Sequence, residues 1–333
     1  MAKEIGRLHS VGLGMEATPG TADTIDIWLP FEEVNFKPMA TIVKDPSGIG
    51  TITSDNDAHM TKMWTEIEGK AILRPTSIGW LLLGTMGTAA APTLLETGVY
   101  KHSFTLLNTN AHKSYTVIHD DQTQEERALY CMIDELGISG AVGEYARLEL
   151  KMKGRKTADT TGNSPSFLST GENPFMVSRL GVKFATNIAG IGAASVVPVQ
   201  NMKMTISKNL EQIFSTASDN TVDATDFATQ HNQNFEIKGD FEMVYDSKVY
   251  RDAYLAGTKQ AIQFLFQGRA LIGATKYETI DIQLASTVLE DWGRSTDANG
   301  IVTQSFGFTA LYKLSEALML TIDIQNAKSS QYA

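Results

Sequence analysis

The chain has 333 residues and a formal net charge of −10, from 38 acidic and 28 basic residues. This length predicts one large domain or two, and a composition with 42% apolar and 20% charged residues excludes extensive disorder and coiled coil. The acidic balance argues against a surface that grips nucleic-acid phosphates.

In the first half, apolar and polar residues alternate at residues 65–71 and 147–153, which predicts strands buried on one face. A short helix is predicted at residues 77–84, where glycine ends it. The uncharged run at residues 75–95 contains several glycines and Pro92, so we expect no membrane span. The single cysteine, Cys131, lies in an apolar strand, and we expect a buried thiol.

Residues 155–174 are rich in Thr, Ser, Gly, Asn and Pro and indicate a linker. Beyond them, alternation returns at residues 235–243, 305–310 and 320–325, and a second short helix is predicted at residues 247–257. Strands wetted on one side are typical of antiparallel sheets. The sequence therefore predicts a mainly β protein with mostly antiparallel sheets and one short α-helix in each half.

The two halves resemble each other at a constant offset of 170 residues. Three elements repeat in order: the strand at residues 33–38 and that at 203–208, the strand at 65–70 and that at 235–240, and the helix that follows each pair. Three matches at one offset favour duplication. We predict a first domain at residues 1–155, a linker at 156–174 and a second domain at 175–333.

Two long polar connections occupy equivalent places, at residues 44–62 and 209–233. Long loops in a compact domain are often functional, so we predict contact loops. The candidate contact residues are Asp45, Ser54, Asp55, Asp57, Asp219, Asp223 and Asp226.

No motif for chemistry is complete. The six histidines are scattered, Cys131 has no cysteine partner, and no Walker A, G-x-G-x-x-G or G-x-S-x-G motif is present. Glu66 and Glu68 could in principle act as acid and base, but the pattern continues through Lys70 as a solvated face. We therefore expect no catalytic residue, no cofactor and no metal site.

The opening segment, Val-Gly-Leu-Gly-Met-Glu-Ala-Thr-Pro-Gly-Thr-Ala at residues 11–22 followed by Ile-Trp-Leu-Pro at 27–30, resembles the major tail tube proteins of phages with long non-contractile tails. Further landmarks similar to that family are Glu-Ile-Glu-Gly at 66–69, Ile-Gly-Trp-Leu-Leu at 78–82 and Ile-Ser-Lys-Asn-Leu-Glu at 206–211. The Thr-Pro-Gly-Thr opening has no evident twin in the second half.

The resemblance implies tandem tube domains, each of two packed sheets with a flanking helix, that assemble into stacked rings. A duplicated chain would form a trimeric ring with pseudo-sixfold symmetry, although a hexamer stays possible. Six domains with four inner strands each would give ~24 strands and a barrel of roughly 48 Å diameter. The resemblance also implies assembly in the host cytoplasm, a place in the virion tail, contact with tape measure, tail terminator and distal tail proteins, and non-specific passage of double-stranded DNA.

A channel that DNA crosses should not hold phosphates, so an acidic or neutral lining is expected. The candidate lumen-facing residues are Glu66, Glu68, Lys70, Glu236, Lys238, Asp240 and Glu242. An outer solvated face is the alternative for these positions. For the whole chain, the alternative is an adhesin-like surface-binding β protein or another virion component.

Overall fold

The computed structural model describes residues 5–168, 172–215, 225–295 and 300–332. Within these residues the chain is mainly β, every paired strand is antiparallel, and there are two α-helices. This confirms the fold class predicted from the alternation of apolar and polar residues.

In the first half, the part of the chain that the structure describes forms eleven strands and one α-helix. In chain order they are β1 (Ser10–Met15), β2 (Ile27–Leu29), β3 (Phe31–Asp45), β4 (Asp57–Ile72), α1 (Ser77–Met86), β5 (Gly87–Ala89), β6 (Thr93–Glu96), β7 (Val99–Leu106), β8 (Tyr115–Asp120), β9 (Glu125–Ala141), β10 (Arg147–Gly154) and β11 (Ala158–Thr160).

The described residues of the second half form ten strands and one α-helix. In chain order they are β12 (Leu180–Ala185), β13 (Val196–Val197), β14 (Asn201–Ser207), β15 (Leu210–Ile213), β16 (Thr229–Asn232), β17 (Glu236–Val244), α2 (Val249–Leu255), β18 (Gln260–Leu271), β19 (Tyr277–Ser295), β20 (Thr303–Ala310) and β21 (Leu320–Asn326).

Eight strands form one continuous antiparallel sheet across both halves, which we call the long sheet. Its order is β3-β4-β10-β9-β14-β17-β20-β19. The junction between the halves is the pairing of β9 with β14, in which Leu136 lies opposite Ile206. Each half thus supplies four neighbouring strands.

Two long strands, β9 and β19, connect the long sheet to other strands of their halves. The first part of β9 leaves the long sheet to pair with β8 and β11, and the first part of β19 pairs with β18 and β21. Tyr130 interrupts β9 with a positive φ of 52° where the register shifts. A bulge of this kind lets one strand turn from one sheet into another.

The hydrophobic core lies against one face of the long sheet. Ile67 on β4 and Leu150 on β10 are buried in the first half, while Phe241, Phe264 and Phe308 pack their rings together in the second. Each helix packs over this core. Gly87, with a φ of 91°, caps the end of α1, and Gly257, with a φ of 59°, follows the Ala256 that caps the end of α2. Cys131 is fully buried, as predicted.

The repeated elements share one cross-strand register. Val34 lies opposite Gly69 in the first half, and Met204 lies opposite Gly239 in the second, so both partners keep the offset of 170 residues. The same offset relates β1 to β12 and Gly87 to Gly257. The second half therefore has a first strand, although the opening motif has no twin there.

Residues 158–160, inside the predicted linker, form β11 and pair with β9. Glu172, near the end of that segment, accepts backbone hydrogen bonds from Thr76 and Ser77, both 2.6 Å long, at the start of α1. Both parts of this segment are therefore anchored to the first half.

Candidate functional site: the polar face of the long sheet and its edges

The long sheet has one polar face, built by the strand residues that alternate with the core residues. Directly opposed residues of antiparallel strands share a face, so the pairs Glu68–Lys151, Lys151–Glu135 and Glu135–Ser207 continue one row across the junction of the halves. Ser207 in turn lies opposite Glu236 on β17. This face runs without interruption from β3 to β19.

All seven residues predicted to face the lumen lie on this polar face, exposed or half-exposed. The structure therefore brings together two groups that are about 170 residues apart in sequence. The two groups lie on one face because β4 and β17 are equivalent strands of the two halves and both belong to the long sheet.

Ion pairs join the strands of the polar face, two of them between neighbouring strands and one, Lys203–Glu149, across the intervening β9. Lys70 Nζ lies 2.8 Å from Glu33 Oε2, and Lys151 Nζ lies 2.6 Å from Glu135 Oε2. At the junction of the halves, Lys203 Nζ approaches Glu149 Oε2 at 3.7 Å. These pairs place a carboxylate beside each of the three lysines.

The pKa shifts on this face follow from these contacts. The hydrogen bond to Glu33 raises the pKa of Lys70, and the hydrogen bond to Glu135 raises that of Lys151. Contact with Glu236, 2.7 Å away, raises the pKa of Lys238. Partial burial raises the pKa of Asp240, and the charge of Lys203 opposes that change.

Equivalent positions in the two halves carry opposite charges. Glu68 corresponds to Lys238 at the offset of 170, and Lys70 corresponds to Asp240. The polar face therefore mixes both signs along its length and is not uniformly acidic.

Sequence reasoning missed part of this face, including Lys151, Lys203, Glu135 and Glu149. The alternation of β10 had been identified, but nothing in the sequence shows that β10 lies between β4 and β9. Only the register of the folded sheet places these residues beside the predicted ones.

The two predicted contact loops differ from each other in structure, since the first projects from the long sheet and the second folds back onto the first half. Asp45, Ser54, Asp55 and Asp57 are exposed at the tip of the hairpin formed by β3 and β4, which we call the arm. β10 pairs with β4 only from Thr65 onward, so the arm projects beyond the long sheet as two strands. Lys44 and Asp55 form an ion pair of 3.5 Å across its tip.

The second contact loop folds back onto the first half. Phe227 is fully buried beside Tyr130, and Asp226 accepts a 3.1 Å hydrogen bond from the backbone of Lys156. Of its predicted contact residues, Asp219 and Asp223 lie outside the described residues.

Lys208, at the end of β14, is completely buried where the second half meets the first. Its Nζ donates a 2.8 Å hydrogen bond to the carbonyl oxygen of Gly84, near the end of α1. Burial lowers the pKa of Lys208 to about 7, although the charge of Asp134 opposes this. The alternation of β14 puts Lys208 in phase with the buried Met204 and Ile206, but sequence reasoning did not single this lysine out as a buried residue.

The described residues hold no group of three or more His, Cys, Asp or Glu side chains placed to bind a metal ion. No helix formed by these residues is long and apolar enough to cross a membrane.

Comparison with known proteins gives a family. The family model for "Phage tail tube protein" matches residues 6–310. A solved structure of the SPP1 tail tube, from solid-state NMR and cryo-electron microscopy, is similar over 46% of this chain and 80% of its own chain, with 15% identity and a TM-score of 0.30. No curated protein matches the sequence.

Proposed function

Since the chain belongs to the phage tail tube protein family and is a structural subunit of the virion tail, we propose that it forms rings whose lumen is lined by the polar face of the long sheet. The observation that carries this proposal is the continuous sheet across both halves, with one face in the core and the other polar. A subunit of a tube needs a sheet of this kind, with one face packed in the core and the other facing water.

The charge pattern of the polar face suits the passage of DNA. Basic side chains that bind phosphates would slow a moving duplex, because each contact releases counterions and adds affinity. Here Lys70, Lys151 and Lys203 are each held beside a carboxylate. The seven residues predicted from the sequence are therefore our candidates for the lumen, together with these paired neighbours.

We further propose that the two halves are tandem tube domains, at about residues 1–155 and 175–333, and that three chains form one ring. The common register of Val34–Gly69 and Met204–Gly239 supports the duplication. Each domain contributes four strands, so three chains would supply about 24 strands to one barrel.

The arm is our candidate for contact between successive rings. Its exposed tip carries Asp45, Asp55 and Asp57, and it also exposes the apolar side chains of Ile42 and Met60. Single isolated hairpins are weakly stable in water, so a projecting pair of strands with apolar side chains gains from a partner. Removal of residues 46–56 should weaken stacking, and an unchanged tube length and stability would contradict this role.

The remaining partners follow from the same proposal. Tape measure, tail terminator and distal tail proteins would contact the lumen or the two ends of the tube, and double-stranded DNA would pass through without specific contacts. The chain would need no cofactor and would catalyse no reaction.

Electron microscopy of the purified protein over a concentration series, with the mass per ring from light scattering, tests the proposal. Rings or hollow tubes with three chains in each layer are expected. Six chains in each layer would retain the tube but contradict the tandem-domain ring. A monomer at every concentration, even with a tail initiator complex supplied, would contradict the function itself.

A further inference from the structure

We propose that the free edge of β19 and the exposed end of α2 on one copy bind the free edge of β3 on a second copy, in the register that joins β9 to β14 within the chain. This inference rests on the proposed function and specifies the contact between neighbouring chains.

The two ends of the long sheet are unpaired among the described residues. β3 pairs with β4 on one side only, and residues 288–295 of β19 pair with β20 on one side only. An exposed strand edge presents unsatisfied backbone groups, which favours pairing with another strand. Each of the two free edges can therefore pair with a β-strand of another molecule.

These free edges correspond to the two strands that already meet inside the chain. β3 corresponds to β14 by the common register. β19 corresponds to β9, because Leu150 and Phe308 lie opposite the equivalent glycines and pair on their other sides with Leu136 and Leu289. The junction within the chain is thus a template for a junction between chains.

The template sets the register between copies. Within the chain, Leu136 lies opposite Ile206 and Gly137 lies opposite Thr205. At the equivalent positions, Leu289 would lie opposite Phe36 of the second copy, and Glu290 would lie opposite Asn35 of the second copy. Such a contact is head-to-tail, so it can be repeated until a ring closes.

The helix ends support the same correspondence. Thr85, next to the Gly84 that Lys208 contacts and two residues before Gly87, is 0% exposed, whereas Leu255, two residues before Gly257, is 71% exposed. Leu255 is a large apolar side chain that is exposed where the equivalent residue of the first half is buried. Such an exposed apolar side chain indicates a surface that a partner covers.

The two junctions differ in chemistry at one position. Within the chain, Lys208 reaches the carbonyl oxygen of Gly84 at the end of α1. The offset of 170 places Pro38 at the equivalent position on β3, and proline has no amine or N–H to donate. The contact between copies would therefore be apolar there, between Pro38 and Leu255.

Disulfide cross-linking in assembled tubes tests the register. Glu290→Cys combined with Asn35→Cys should give chains linked to one another as dimers and trimers on a non-reducing gel. Glu290→Cys combined with Thr41→Cys is the matched control, since six residues along β3 displace the thiol by about 20 Å. Ser139→Cys with Lys203→Cys, opposed within the chain, should cross-link without joining chains.

Hydrogen–deuterium exchange of the wild-type protein provides a test without substitutions. The amides of residues 31–38 and 288–295 should exchange more slowly in tubes than in the unassembled chain. Normal tubes in which these amides exchange unchanged, or in which only the Thr41 variant cross-links, would overturn the edge pairing and leave the tube function intact. Failure of the wild-type chain to form rings or tubes would count against the proposed function instead.

Discussion

Replacement of Lys208 by methionine tests the energetics of the junction between the two halves. The amine of Lys208 is fully buried and has one described hydrogen bond, to the carbonyl oxygen of Gly84. Methionine keeps most of the side-chain length and volume but carries no charge. The substitution therefore isolates the cost of holding a protonated amine in the interior.

The magnitude follows from the pKa, which falls from 10.5 to about 7 on folding. At pH 7 the unfolded chain binds the proton more strongly, and this costs about 4 kcal/mol of folding free energy. Methionine leaves the carbonyl oxygen of Gly84 without this donor, which costs the variant about 2 kcal/mol. We expect Lys208→Met to be more stable than the wild type at pH 7 by about 2 kcal/mol.

The pH dependence gives a sharper signature. Because the folded-state pKa is depressed, the cost is fully present below pH 7 and disappears as the pH rises toward 10.5. Between pH 7 and 9 the wild type should gain about 2 kcal/mol of unfolding free energy relative to Lys208→Met. Urea unfolding of the unassembled chain, followed by tryptophan fluorescence, measures this difference.

Lys203→Met is the control, because Lys203 lies on the same strand with its side chain half exposed. The free energy of unfolding of the wild type relative to Lys203→Met should show no such rise with pH. A constant difference between wild type and Lys208→Met from pH 6 to pH 9 would refute the reasoning.

Other substitutions test the remaining contacts. Gly79→Ala should destabilise by about 1–3 kcal/mol in urea unfolding, because an added Cβ would lie 2.2 Å from the ring of Tyr332, whereas Gly192→Ala, with no atom within 4 Å of the added Cβ, should be nearly neutral. Tyr332→Ala should cost about 3–5 kcal/mol in the same assay, and a loss below about 1 kcal/mol would show that the buried ring adds little. Glu66→Lys with Glu236→Lys should leave tube assembly intact but slow DNA release from assembled particles, and an unchanged release rate would contradict their place in the lumen.

The strands and helices could be predicted where the pattern of neighbouring residues determines them. The alternation around Gly69 and Gly239 predicted strands, and in the structure the two strands keep the common spacing of the repeat in their cross-strand register. The two helices were predicted from amphipathic runs that end at glycine, and both occur at those places.

Long-range pairings could not be predicted in this way. The sequence predicted no strand in the part of the uncharged run that follows α1, yet β5 and β6 form there because β7 pairs with them. On its other side β7 pairs with β21, more than 200 residues away, where Phe104 lies opposite Ile322. Nothing in either local sequence specifies such a partner, since alternating strands resemble one another.

The buried Lys208 could not be predicted for a related reason. The alternation places Lys208 in phase with the buried Met204 and Ile206, but lysine is ordinarily solvated, so the pattern did not establish its burial. Its burial depends on the first half closing over it, with Gly84 as hydrogen-bond acceptor. Candidate polar residues on a face could thus be found from period alone, whereas residues at a junction needed the tertiary structure.

The junction within the chain differs from the proposed junction between chains in the number of sheets that cross it. Inside the chain, β9 pairs with β14 in the long sheet, and β21 pairs with β7 outside it. In the second half, α2 is followed directly by β18, with no counterpart of the β5–β7 segment. A neighbouring chain would therefore find only the long-sheet edge and the end of α2.

This asymmetry has an energetic consequence for assembly. Joining two separate proteins costs about 4–15 kcal/mol in lost translational and rotational freedom, whereas joining two parts of one chain costs much less. In a ring of three chains, half of the six junctions form during folding, and these are the junctions that two sheets cross. The three that form between chains can be weaker individually, because closing the ring satisfies every free edge at once. Reversible pairing at these edges would let a misplaced subunit leave before the ring closes, while the closed ring would stay intact.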